Sequence, residues 1–230
     1  MKLYHDPLST SARAVSLFIY DEGIPIDIEP VELFAGDHLT DAFKAVNPNG
    51  QVPVLEDGDF RLAESAAILK YLADKTGSAA YPRDLQARAR VNEAMDWFNT
   101  GFSHFFCYMG AYLKFLPELR ALNPVSLADV EQIGVEKSRK YLNVLDRHML
   151  AGRPFVCGDD ISLADYLGIA YASLGIAAGF DFSRYPNVVA WMKRMEDRKG
   201  WEPAYAAFNG FVSAMRAEPE RVEALLDSRP

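Results

Sequence analysis

The stretch that decides the fold is NPNGQVPVLEDGDFRLAES, residues 47–65. Asn47-Pro48 ends whatever helix precedes it, because the residue before a proline is pushed out of the helical region. Val52, Val54 and Leu55 read as a short apolar strand, Asp57-Gly58 as a tight hairpin turn, and Phe60 to Leu62 as the antiparallel return. Pro53 sits inside that first strand. A proline cannot donate to a ladder, so it marks an edge, a bulge or a cis bond. Each of these leaves the Val52 backbone free to pair with something else, which suggests docking of an extended, peptide-like ligand.

Working outward, Lys2 to Tyr4 is a strand that leads through HDPLSTSARAV into a helix with Val15, Phe18 and Ile19 at i, i+3 and i+4. Gly23 and Pro25 stop it. Ile26 to Val31 alternates apolar with acidic as a half-buried strand does, and a short helix follows around His38 to Ala45. After the hairpin, a helix runs from Ser65 to about Lys75 with Ile68, Tyr71 and Leu72 on one face. The order is βαβαββα over residues 1–77, an α+β unit.

Residues 78–84 have the small and proline-containing composition of a linker, and residues 85–230 read as all-α. Leu85 to Phe115 is expected as one long helix, ended by Pro117 and Pro124. Two Ser-Leu-Ala-Asp segments, Ser126 to Asp129 and Ser162 to Asp165, each offer a serine N-cap with an aspartate that reaches back to it. Asp165 is therefore expected to fold a helix start rather than to catalyse. Later helices are expected over Pro186–Arg198 and Pro203–Ala214, with an amphipathic tail from Glu218 to Leu226.

Half of the 230 residues are apolar, enough for a core without covalent staples. The formal net charge is −8 with no polybasic run, which argues against nucleic acid and against an anionic membrane surface. Residues 1–77 hold six Lys or Arg against thirteen Asp or Glu, so an anionic ligand there must be held by local donors. Cys107 and Cys157 stand alone, with no metal-ligand spacing, and are expected to be packing residues in a reducing compartment. No apolar run approaches the roughly 18 residues of a membrane span, so the chain is expected to be cytoplasmic.

Four segments then carry a resemblance. LSTSARAV (8–15), GDHLTDAFKAVNPNGQVPVLEDGDFRLAESAAILKYL (36–72), YPRDLQARARVNEAMDW (81–97) and ISLADY (161–166) are similar, in this order, to the glutathione transferases, above all the theta class and related bacterial members. The resemblance implies a thioredoxin-like N-terminal domain that binds glutathione and an all-α domain that takes the second substrate. It implies a homodimer, with glutathione as cosubstrate and no metal.

Carried over residue by residue, Val52 and Pro53 hold the cysteinyl unit, Glu64 and Ser65 the γ-glutamyl end, and His38 and Gln51 the glycyl carboxylate. Theta members often carry a basic residue where Gln51 stands. Ser9 matches the catalytic serine in the pattern Leu8, Ser9, Arg13, while Thr10 and Ser11 offer competing hydroxyls; Ser11 on its own reads as a helix N-cap. Tyr4 reads as a strand residue, Arg13 as a supporting one, and His5 has no role assigned. The electrophile is expected against Phe102, Phe105, Phe106, Met109 and Tyr112, with Trp201, Phe208 and Phe211 as further aromatic candidates. The expected function is activation of glutathione as thiolate for attack on a small hydrophobic or halogenated electrophile. Disulfide reduction by bound glutathione and a non-catalytic binding module are the alternatives.

Overall fold

The computed structural model of the chain describes residues 1–116, 119, 121 and 123–219. Two compact units emerge: Met1–Tyr81 together with the described residues from Arg198 onward, and Pro82–Asp197.

In the first unit, β1 (Lys2–His5), α1 (Thr10–Glu22), β2 (Asp27–Pro30), α2 (Asp41–Lys44), β3 (Val54–Asp57), β4 (Phe60–Leu62) and α3 (Ser65–Thr76) follow the expected order. The sheet runs β2-β1-β3-β4, with β1 parallel to β2 (Leu3 beside Ile28) and antiparallel to β3 (Leu3 beside Leu55). The helix expected around His38 is shorter, because two 3₁₀ turns, Leu33–Ala35 and Asp37–Leu39, occupy its first part and Thr40 then caps α2. The hairpin turn is Gly58-Asp59, one residue later than read: Asp57 pairs with Phe60, and Gly58 takes the positive φ that the first loop position needs. Asp57 instead accepts from Tyr71 Oη at 2.6 Å and pairs with Lys75, tying the hairpin to α3.

Leu3, Val15, Phe18, Leu55, Ile68, Leu69 and Leu72 form this unit's core. On a second cluster, Ala12, Val31, Phe43, Val52 and Val54 pack with Tyr4, confirming Tyr4 as a packed strand residue. The helix α8 (Trp201–Ala217) groups with this unit, although its position in the sequence suggests the all-α domain. Its buried residues Ala204, Tyr205, Phe208 and Val212 form the stripe that packs on α1. Gly200 permits the approach, since a Cβ there would lie 2.6 Å from the Asp21 backbone nitrogen. Arg198 seals it with Nε and Nη2 each 2.7 Å from Asp21 Oδ2.

The second unit contains α4 (Leu85–Trp97), α5 (Pro124–Val144), α6 (Leu163–Ala177) and α7 (Pro186–Glu196). Among the described residues its only strand-like feature is one bridge between Phe155 and Gly158. The single long helix expected from Leu85 divides: α4 passes at Phe98 into a π-helical segment, Phe98–Tyr108, and a 3₁₀ turn, Ala111–Lys114, follows. Thr100 and Ser103 hydroxyls bond back to the carbonyls of Asp96 and Asn99, four residues earlier, and so compete with the α-register. The proposed terminator Pro117 and tail residues 220–226 lie outside the described residues.

The two Ser-Leu-Ala-Asp segments differ. The first helix starts earlier than read, at Asn123, whose Oδ1 accepts from Ser126 N at 3.0 Å while Pro124 occupies the first turn, so Ser126 is not the cap. The second is a capping box: Asp165 Oδ2 accepts from Ser162 N at 2.9 Å and from Ser162 Oγ at 2.8 Å. Asp165 Oδ1 accepts from Val156 N and Trp191 Nε1, both at 2.9 Å. Burial pushes this carboxyl's pKa up, and the four donors oppose that.

Candidate functional site

The turn that carries Ser9, Thr10 and Ser11 follows β1. Asp6 is buried and shapes it: Oδ1 accepts from Leu8 N at 2.6 Å and Oδ2 from Leu33 N at 2.9 Å. Ser9, not Ser11, is the N-cap of α1, with its Oγ accepting from Ala12 N at 3.3 Å. A hydroxyl has one donor and two acceptor positions, so the capping bond does not use the Ser9 proton, which the Ser11 contact described next takes up. Ser9 Oγ lies 3.4 Å from Ser11 Oγ, and Ser11 donates to the Val52 carbonyl at 3.3 Å. The Val52 carbonyl expected to be free thus has a partner in Ser11. Thr10 is buried in the first turn.

The Val52–Pro53 peptide bond is cis. It follows a loop organised by Asn47, which is buried and donates from Nδ2 to the Gln51 carbonyl at 2.7 Å while its Oδ1 accepts from Asn49 N at 3.1 Å. Gly50 has φ +61, and a Cβ there would lie 2.9 Å from the His38 carbonyl oxygen. The loop therefore brings the backbone of His38 against the residue before Gln51, whose side chain is exposed.

Glu64 is the one non-glycine residue with positive φ among the described residues (φ 67°, ψ 112°), a conformation that costs on the order of 1–3 kcal/mol. It occupies the N-cap position of α3 yet makes no side-chain capping bond. Capping does not account for that strain. Ser65 follows as the first residue of the helix, largely buried, beside unpaired first-turn N–H groups that favour a carboxylate.

His5 was assigned no role from sequence. It is 7 % exposed, and its Nε2 has no hydrogen-bond partner among the described residues. Burial lowers its pKa to about 4, with Asp6 opposing and Arg13 reinforcing the shift. A histidine with a depressed folded-state pKa stabilises the fold only while neutral, so its contribution is lost as pH falls from about 6.5 to about 4. The expected loss between pH 7 and pH 4 is about 3 kcal/mol. Urea midpoints for the native protein and His5→Leu, compared at both pH values, check this: the variant loses less stability on acidification. Equal losses would exclude His5 as the acid-sensitive group.

In the second unit the aromatic stripe divides into core and edge. Phe102 and Phe106 are buried, with ring centroids 4.9 Å apart, and Phe106 packs 5.4 Å from Phe180. Phe105, Met109 and Tyr112 are partly exposed; Phe105 stacks on Tyr141 at 5.6 Å and Tyr112 meets Tyr108 edge-on at 5.1 Å. Trp201 and Phe208 belong to the first unit, where Trp201 stacks on Tyr205 at 3.7 Å. Cys107 is buried, and burial raises the Cys157 thiol to about 11, so Cys157 has no thiolate character near neutrality. Among the described residues no cluster of His, Cys, Asp or Glu has the arrangement of a metal site, and no helix is long and apolar enough to cross a membrane.

Asp6 and Asn47 were missed from sequence as organisers of the two loops. Their signal was Asx chemistry beside proline: Asp6-Pro7 and Asn47-Pro48 each precede a turn whose backbone N–H needs an acceptor two residues on.

Residues 3–80 match the family model for the glutathione S-transferase N-terminal domain, and residues 104–199 that for the C-terminal domain. The human glutathione S-transferase theta-2B is 35 % identical, covering 94 % of this chain and 88 % of the relative. The Bos taurus glutathione S-transferase theta-1 is 37 % identical, covering 95 % and 92 %. A solved structure of a human theta-class glutathione transferase in complex with the glutathione conjugate of 1-menaphthyl sulfate superposes with a TM-score of 0.83 at 30 % identity, over 99 % of this chain and 97 % of that one.

Proposed function

The chain belongs to the glutathione S-transferase family, and from that premise we propose that it is an enzyme that holds glutathione in its first unit and activates the thiol through Ser9. The observation that carries this reading is the Ser9 hydroxyl, which caps α1 as an acceptor and holds its proton only against Ser11 Oγ at 3.4 Å, a long bond that a thiolate can take over. A thiol of pKa near 8.5 is only a few per cent ionised at pH 7. A hydroxyl donating to the sulfur anion contributes about 1.5–3 kcal/mol, which lowers that pKa by about one to two units. The N-terminus of α1 adds up to about 1 kcal/mol.

Glutathione fits the rest of the cradle. Val52 pairs with the cysteinyl backbone, for which Ser11 must yield the Val52 carbonyl or share it. The strained Glu64 accepts from the γ-glutamyl ammonium, and Ser65 with the α3 N-terminus donates to its carboxylate. His38 and Gln51 take the glycyl carboxylate. The thiol proton leaves to solvent and the thiolate then attacks an electrophilic carbon: the carbon–sulfur bond forms as the carbon–leaving-group bond breaks, and the leaving group departs with the electron pair. The partly exposed edge of the aromatic stripe, Phe105, Met109 and Tyr112, is proposed to meet the apolar part of that electrophile. The enzyme is proposed to act as a cytoplasmic homodimer.

The relative that holds a glutathione conjugate favours conjugation over disulfide reduction and over a non-catalytic module. A panel of alkyl halides, nitroaryl halides and small disulfides tests this directly. Halide release matched by conjugate formation is expected. Turnover confined to the disulfides would overturn the proposal, as would no thiolate absorbance from saturating glutathione near pH 7.

A further inference from the structure

Arg13 has no exposed surface, and its Nη1 donates to the Leu8 carbonyl at 2.7 Å, the peptide group immediately before Ser9. α1 delivers it there because a helical side chain points back over the preceding turn, and Arg13 N itself donates to the Ser9 carbonyl at 3.0 Å. Beside that carbonyl the guanidinium meets two rings. Its central carbon lies 3.8 Å from the ring centroid of Phe208 and 5.3 Å from that of Tyr205, both on α8. Arginine suits this place where lysine does not, since its planar cation stacks on a ring face while its N–H groups bond at the edge. Tyr205 meets Phe208 edge-on at 5.9 Å and is stacked on Trp201, so the rings are themselves held.

We propose that Phe208 and Tyr205 are positioning residues for Ser9, acting through Arg13. The rings fix the guanidinium, the guanidinium fixes the Leu8–Ser9 peptide, and that peptide sets the direction in which the Ser9 hydroxyl points. Removing the ring face loosens one wall of the guanidinium's site and weakens its bond to the Leu8 carbonyl. The Ser9 hydroxyl then aims less well although the residue is untouched. This rests on the reading of Ser9 as the thiol donor.

The test uses the full chain with Phe208→Leu, which keeps apolar bulk, Arg13→Lys, which keeps charge, and Phe208→Tyr, which keeps the ring. Two readouts are taken: the pKa of bound glutathione by thiolate absorbance, and hydrogen exchange of residues 6–12 without ligand. For Phe208→Leu the bound thiol pKa is expected to rise by about half a unit to one unit. kcat at pH 6.5 is expected to fall about 3- to 10-fold with KM for glutathione changed less than about twofold, and exchange in 6–12 to accelerate. Arg13→Lys should reproduce the shift, the double variant should add little to it, and Phe208→Tyr should restore the native value.

A purely structural clamp predicts otherwise: lower thermal stability with an unchanged thiol pKa and unchanged exchange in 6–12, and that result overturns the proposal. So does a shift of equal size when Phe208→Leu is placed on Ser9→Ala. If Ser9→Ala alone leaves the thiol pKa unchanged, the Ser9 assignment itself is wrong, which the Phe208 variants do not mimic. If Phe208→Leu does not fold, Arg13→Lys with Phe208→Tyr carries the same comparison.

Discussion

Ser9→Ala is expected to lower kcat for conjugation at pH 6.5 by about 10- to 100-fold and to raise the pKa of bound glutathione by one to two units. The deficit should shrink as pH rises and vanish near pH 9. By then most of the thiol is ionised without help, and a thiolate of higher pKa is intrinsically the better nucleophile. Alanine also removes the N-cap bond to Ala12, so stability should fall by about 0.5–2 kcal/mol. Two further substitutions separate these effects. Ser9→Thr retains both acceptor and donor and should keep most of the activity. Ser9→Asp caps as well as serine does but sets a carboxylate against the thiolate, so stability should hold while kcat falls below that of the alanine variant. A bound thiol pKa unchanged in Ser9→Ala would move the role to another hydroxyl, and Ser11→Ala would then be the variant to titrate.

Asp165→Ala is the second large expectation, and its effect is on the fold. The carboxylate lies fully buried amid Val156 N, Ser162 N, Ser162 Oγ and Trp191 Nε1. Removing it strands buried donors that have no water to turn to, at a cost on the order of 4 kcal/mol. That is a large share of the roughly 5–15 kcal/mol that holds a domain together. Asp165→Asn should cost about half as much. Its oxygen still accepts from Val156 and Trp191, and Ser162 Oγ can turn to accept from the amide, but Ser162 N is left facing a donor. Urea denaturation of the two variants gives the ranking. Native stability in Asp165→Ala together with lost activity would assign the residue to chemistry instead.

The order of elements in the first unit was readable because its signals are local. Alternation in residues 26–31, the turn at Gly58 and the apolar triplets of α1 and α3 each constrain a few adjacent residues, and they agree with one another. The special backbone at Pro53 and the helix start at Ser65 were readable for the same reason, since both are backbone statements made in sequence. What stayed hidden depends on partners far along the chain. Spacing marks Phe98 to Tyr112 as a stripe, but it cannot say that Phe102 and Phe106 turn into the core while Phe105 stays at the edge. Arg13 reads as a supporting residue of the Ser9 pattern, but spacing cannot say what holds it until Phe208 is found over it. The start of α5 was misread for a different reason, since Asn123-Pro124 and Ser126 compete as caps and a proline pre-set for the first helical turn decides in favour of the earlier residue.

The grouping of α8 with the first unit has a consequence for how the chain is made. Residues that pack against one another at the start of α1 and along α8 leave the ribosome far apart in time, the interval from Glu22 to Trp201 taking roughly 10 to 40 s at 5–20 residues per second. For that period the nascent N-terminal segment has its strands and its serine but not the helix that covers α1. A chain halted before Trp201 would leave that face of α1 bare, an apolar surface for chaperones to shield, and the protein finishes its first unit only after the second has been synthesised.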